Sequence, residues 1–153
     1  MNAEARVAEL GLEIPGPFRP AGTYVNAVRS GHLLFLAGHV PHRPGGGIVL
    51  GRLGADLDID QGKEAARLAA LGVLATLREE LGTLDRVARI VNLYGVVNST
   101  PEFAGHTLVI NAASDLLVDV FGGAGLHSRL AVGVASLPAG MALEIQVIVE
   151  IKD

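Results

Sequence analysis

The stretch that most constrains this chain runs from Asp58 to Gly82. Leu68, Leu71, Leu74, Leu77 and Leu81 recur at steps of three and four residues, the period of one helical face. Asp58 stands where an N-cap is wanted and Gln61 follows three positions later, a carboxylate variant of the capping box, while Gly82 supplies a stop. A leucine stripe of this length is expected to cover a sheet. Lys63, Arg67, Arg78 and Glu79 then lie on the opposite, solvated side.

The strands of that sheet are legible on both sides of the helix. The first 21 residues, with Pro15, Gly16, Pro17 and Pro20 toward their end and Gly22 just beyond, carry no sustained period and read as an irregular arm. Tyr24 to Ala37 reads as a β-hairpin turning at Ser30-Gly31, followed by a surface loop from Gly38 to Gly47. Val87 to Val97 is rich in β-branched residues and should be a strand. Thr100-Pro101 has the chemistry of a helix start, and Val109, Ala113, Leu116 and Val120 form the stripe of a second helix ending near Phe121. Arg129–Ser136 and Ala142–Ile151 are two further strands, and the five residues between them are a hairpin-length connection. The whole chain, 1–153, is then a single α+β domain, a mixed sheet with two helices on one face. Its other face needs cover, and a second copy of the chain is the expected source, making a homo-oligomer.

Composition narrows the chemistry. Half the residues are apolar and 18% are charged, enough to bury a core. Twelve basic and 16 acidic residues give a formal charge of −4, so no strong positive field is available for a phosphate backbone, and nucleic acid is a disfavoured partner. The absence of cysteine removes disulfides, thiolate metal sites and a thiol nucleophile. Only Lys63 and Lys152 could offer a Schiff-base amine. No signal-like N-terminus and no uninterrupted apolar run of membrane length is present, so a cytoplasmic protein without membrane attachment is expected.

Candidate chemistry concentrates in the last two strands. Along Arg129–Ser136 the odd positions after the arginine are Ala131, Gly133 and Ala135, a nearly bare face, while Leu130, Val132 and Val134 are bulky. A guanidinium over that bare face could clamp a carboxylate, or it could be an ordinary edge-strand charge. Glu144 has the parity opposite to Leu143, Ile145, Val147 and Val149, so it faces away from the apolar layer, as a site residue or a solvated one. If Ser136 and Ala142 face each other, Glu144 lies opposite Val134, roughly 16 Å along the strand from Arg129. A site using both must then be long or join two subunits. His39 and His42 lack a metal-binding frame, and no metal site is expected. His127, two residues before Arg129, is a proton carrier or a polar neighbour. No phosphate-binding glycine motif or serine-hydrolase elbow occurs, so no nucleotide cofactor is indicated.

Arg129-Leu130-Ala131-Val132-Gly133-Val134-Ala135-Ser136-Leu137-Pro138, followed by Leu143-Glu144-Ile145, resembles the signature of the YjgF/RidA family, also called L-PSP endoribonucleases or translation inhibitors. Gly22-Thr23-Tyr24-Val25-Asn26-Ala27-Val28 is similar to that family's Gly-Pro-Tyr-Ser-Gln-Ala-Val. Leu36-Ala37-Gly38-His39-Val40-Pro41 is similar to its Val-Ser-Gly-Gln-Ile-Pro, and Ile110-Asn111 to its Val-Asn. The resemblance implies a chorismate-mutase-like fold, a homotrimer with clefts between subunits, and hydrolysis of reactive enamine or imine intermediates such as 2-aminoacrylate to 2-oxo acids and ammonia, without metal or organic cofactor. It implies that Arg129 clamps the carboxylate of a small metabolite, that the Gly38 backbone helps hold it, that Glu144 positions or activates water, and that Tyr24, Asn111 and His39 line the pocket. Ala37, His39 and Ala131 depart from the family's serine, glutamine and frequent cysteine, which marks a divergent subgroup. A non-catalytic 2-oxo acid-binding trimer and an endoribonuclease are the alternatives.

Overall fold

The computed structural model describes residues 2–153. A short helix, α1 (Ala3–Glu9), precedes strands β1 (Ala27–Ser30) and β2 (Leu33–Leu36), the long helix α2 (Ile59–Leu81), strand β3 (Val87–Asn98), helix α3 (His106–Phe121), and strands β4 (Ser128–Val134) and β5 (Leu143–Ile151). The five strands form one mixed sheet in the order β1-β2-β5-β3-β4, antiparallel except for the β3–β4 pair. This is the α+β architecture read from the sequence, with three α-helices.

Helix α2 forms as its sequence dictates. The Asp58 carboxylate accepts from the Gln61 amide at 2.8 Å, the Gln61 side chain accepts from the Asp58 amide at 2.9 Å, and Gly82 closes the helix in the left-handed region at φ 77°. Burial is wider than the leucine stripe, because Ala65, Ala66, Ala69 and Ala70 are buried too. A β-carbon on Gly62 would press into Val109 of α3 at 2.9 Å, so small residues let the two helices approach. The second side of α2 is only partly solvated. Arg78 donates to Glu4 of α1 at 2.6 and 3.2 Å, and Glu4 also accepts from the Leu84 amide at 2.9 Å.

Three expectations are corrected. The N-terminal arm holds a helix, α1, capped by Asn2 accepting from the Ala5 amide at 2.8 Å, and its Ala3 and Val7 join the core. Helix α3 starts at His106, not Thr100, because Ser99 and Thr100 are still tied to the segment before α2: the Thr100 amide donates to the Leu53 carbonyl at 3.0 Å, and Thr100-Pro101 makes a turn. β4 and β5 are not a hairpin, since β3 lies between them. Strand β4 runs parallel to β3 after the α3 crossover, so the short connection carries the chain past the end of β3 to its other side. The segment His106–Gly125 has the length and hydropathy of a membrane-crossing helix, yet its stripe of Val109, Ile110, Ala113, Leu116, Leu117 and Val120 packs into this core.

Helices α2 and α3 cover one sheet face. The other carries Val28, Phe35, Tyr94 and Leu130, all exposed, with Val28 paired to Phe35 and Tyr94 to Leu130.

Candidate active site

Where β2 ends, the chain turns along the end of β5, and the N-terminal arm folds over it to enclose a cavity of about 660 Å³. Tyr24, Gly38, His39 and Glu144 all line it, with Thr76 of α2 and Met141. Glu144 reaches this place because β5 alternates: Leu143, Ile145 and Val147 are fully buried under the helices, and Glu144 points the other way. Its carboxylate lies against Gly38 so closely that any β-carbon there would occupy the same space. Among the described residues it has no hydrogen-bond or ion-pair partner, and burial pushes its carboxyl above the usual carboxylate range. A half-buried, unpaired carboxylate with a raised pKa can take a proton from water near neutral pH.

His39 has a different position. Its backbone pairs with Ile145 through bonds of 2.7 and 2.9 Å, which turns the ring under the sheet toward α2. Nδ1–H donates to the Ala37 carbonyl at 2.8 Å, and in the neutral ring Nε2 accepts from the Thr76 hydroxyl at 2.8 Å. Burial holds its pKa below the ordinary histidine value. The ring is a fixed piece of the cavity floor with both nitrogens occupied. His42 is likewise committed, stacked on Phe18 with ring centroids 3.7 Å apart. Among the described residues no three metal-binding side chains cluster.

Arg129 and Asn111 lie elsewhere, together. Arg129 pairs with Leu93 and so shares the helix-covered face, where Nη1 donates to Asn111 Oδ1 at 2.8 Å and to Ser114 Oγ at 3.0 Å. Beside Arg129 the bare face of β4 is covered by α3, and only its far end, at Gly133 and Ala135, borders open space. The guanidinium forms no ion pair among the described residues, so its charge is free for an anion. Ser114 and His127 complete the support. His127 donates from Nδ1 to the Gly125 carbonyl at 2.6 Å, its Nε2 lies 3.0 Å from the Ser114 hydroxyl, and Ser114 Oγ accepts from the arginine. Ser114 was missed in the sequence, although it stands three residues after Asn111 and thus on the same helical face. Thr76 carried no signal, since only the fold sets it under His39.

The two clusters do not meet in one chain. Glu144 pairs with Val96 and Val96 with Val132, so in register Glu144 is two strands across and three positions along from Arg129, and on the opposite face. The expected pairing of Glu144 with Val134 is replaced by this one because β3 intervenes.

The sequence model of the family described as "YjgF/chorismate mutase-like, putative endoribonuclease" matches residues 4–150. The chain belongs to that family. Protein TCP17 of Trypanosoma cruzi is 44% identical over 150 residues, covering 97% of this chain and 94% of its own. A putative endoribonuclease from Shewanella oneidensis superimposes with a TM-score of 0.94 at 32% identity, covering 99% of this chain and all of that one (100%). E. coli TdcF, solved with bound serine, superimposes with a TM-score of 0.64 at 25% identity over 90% of this chain and 94% of its own. The motif resemblance around Arg129 and Glu144 thus reflects YjgF family membership over nearly the whole chain.

Proposed function

We propose that the protein hydrolyses small 2-imino acids, the tautomers of reactive enamines, to 2-oxo acids and ammonia at a site shared by two copies of the chain. The unpaired Glu144 carboxylate pressed against Gly38 in the cavity is the observation that carries this reading. In the reaction water adds to the imine carbon as Glu144 takes one of its protons and passes it to nitrogen, giving a carbinolamine. The carbinolamine hydroxyl then gives up its proton, again through Glu144, to the amino nitrogen, and the carbon–nitrogen bond breaks to release ammonia as the carbonyl forms. Arg129, oriented by Asn111 and Ser114, binds the substrate carboxylate. The imine carbon is already electrophilic, so orientation of water supplies much of the acceleration.

Since Arg129 and Glu144 lie on opposite faces of one sheet, one copy supplies the carboxylate and its neighbour the guanidinium. The exposed Val28, Phe35, Tyr94 and Leu130 face supports association of copies, and a trimer is the assembly the family resemblance implies. Serine bound in the TdcF relative supports a small amino-acid-like ligand. The charge of −4 and the 4% aromatic content favour a small metabolite over RNA, against the endoribonuclease description. The test is ammonia release from freshly generated 2-aminoacrylate or iminoleucine. Rates well above an Arg129→Ala control are expected, and equal rates would overturn the reading.

A further inference from the structure

A second cavity, of about 370 Å³, lies at the far end of β4, lined by Arg52, Ser99, Phe103, His106 and Gly133 among others. We propose that it binds a small phosphate-bearing molecule. Neither Arg129 nor Glu144 lines it. Gly133 is four residues along β4 from Arg129, about 13 Å at the rise of a strand.

The site is built rather than incidental. Leu53 is bonded to β3 through its amide, at 2.8 Å from the Asn98 carbonyl, and this fixes the neighbouring Arg52 backbone. The Arg52 guanidinium donates from Nη2 to the Ser99 carbonyl at 3.0 Å, while its Nε is buried without an acceptor. Asp56 spends its carboxylate on the Arg52 amide at 2.9 Å and forms no ion pair with the side chain. The positive charge is therefore unneutralised. Ser99, only 6% exposed, holds its hydroxyl 3.3 Å from His106 Nε2. A β-carbon on Gly133 would fall 2.5 Å from His106 Nε2 and 2.6 Å from Ser99 Oγ, so glycine is needed for this pair to face the space.

The chemistry of the lining selects the ligand. No aspartate or glutamate lines the cavity. His106 is the first residue of α3, a helix with no side-chain cap and no acid in its first turn, so its free amides and dipole add positive potential. Guanidinium, hydroxyl, imidazole and helix start come from three separate segments and border the same cavity, a set of donors that suits the several oxygens of a tetrahedral oxyanion. The volume exceeds that of phosphate alone, and Pro101, Phe103 and Val134 offer an apolar wall for a small organic remainder.

The experiment is calorimetric titration of the full-length protein with inorganic phosphate at constant ionic strength, with the His106 imidazole followed by NMR. Acetate serves as the carboxylate arm. Saturable phosphate binding that moves the His106 resonance is expected, weakened about tenfold or more by Arg52→Gln and unchanged by Arg129→Ala. Ser99→Ala keeps the carbonyl that holds Arg52 and serves as a second variant, expected to weaken phosphate several-fold. No saturable binding, binding untouched by both Arg52→Gln and Ser99→Ala, acetate binding as tightly as phosphate, or loss in Arg129→Ala would each overturn the proposal. Retained 2-oxo acid binding by the Arg52 variant reports its fold and the Arg129 site separately.

Discussion

Arg129 and Glu144 belong to neighbouring parts of the same sheet but project from its opposite faces, because Arg129 is in register with buried Leu93 and Glu144 with Val96, an odd number of residues away. In the reaction proposed above, one chain therefore supplies two half-sites, and each needs the other from a neighbouring copy.

This separation makes complementation measurable. Glu144→Gln and Arg129→Ala proteins should each be inactive alone. Dissociated, mixed in equal amounts and reassembled, they should regain roughly a quarter of wild-type activity, the share of interfaces joining two intact halves under random mixing. Ammonia release before and after reassembly checks this, and no recovery would place the whole site in one chain.

Gly38→Ala tests the contact that positions the carboxylate. The displaced group is the end of a flexible side chain, so the melting temperature should hardly move. Activity should fall about a hundredfold, since a carboxylate moved by roughly an ångström no longer addresses the same water.

Glu144 should cost the protein stability at neutral pH. Its folded pKa lies above the ordinary 4.5, so the folded state holds its proton more tightly than the unfolded one, and its favourable contribution is lost as pH rises above about that value. The melting temperature of Glu144→Gln should match wild type in acid and exceed it increasingly through the window above pH 4.5. Parallel curves at all pH values would contradict the burial of this carboxyl.

His39 predicts the opposite trend. Its folded pKa lies below the ordinary 6.5, so the unfolded chain takes up the proton first and stability falls as pH drops below that value. His39→Gln, which can still bond Thr76, should flatten the melting-temperature profile below pH 6.5 while leaving activity near wild type.

Ser114 should act through Arg129. Ser114→Ala removes one of the two acceptors of the guanidinium, so KM for the imino acid should rise several-fold with kcat little changed. His127→Ala should do the same more weakly, and Ser114→Thr, which retains the hydroxyl, should restore the affinity.

Local physics settled much of this protein in advance. The cap and stop of α2 are made by Asp58, Gln61 and Gly82, which interact within a few residues of one another, and the parity that turns Glu144 away from the core is a property of any strand. The family motifs around Arg129 and Glu144 were likewise readable, as was the α+β architecture. Only the tertiary structure decided that β3 lies between β4 and β5, that Ser99 and Thr100 stay bonded beside Leu53 and delay α3 to His106, and that α3 covers the bare face beside Arg129. Strand order and helix placement depend on contacts between residues far apart in the chain, and short-range periodicity carries no record of which distant segment will fill a given face.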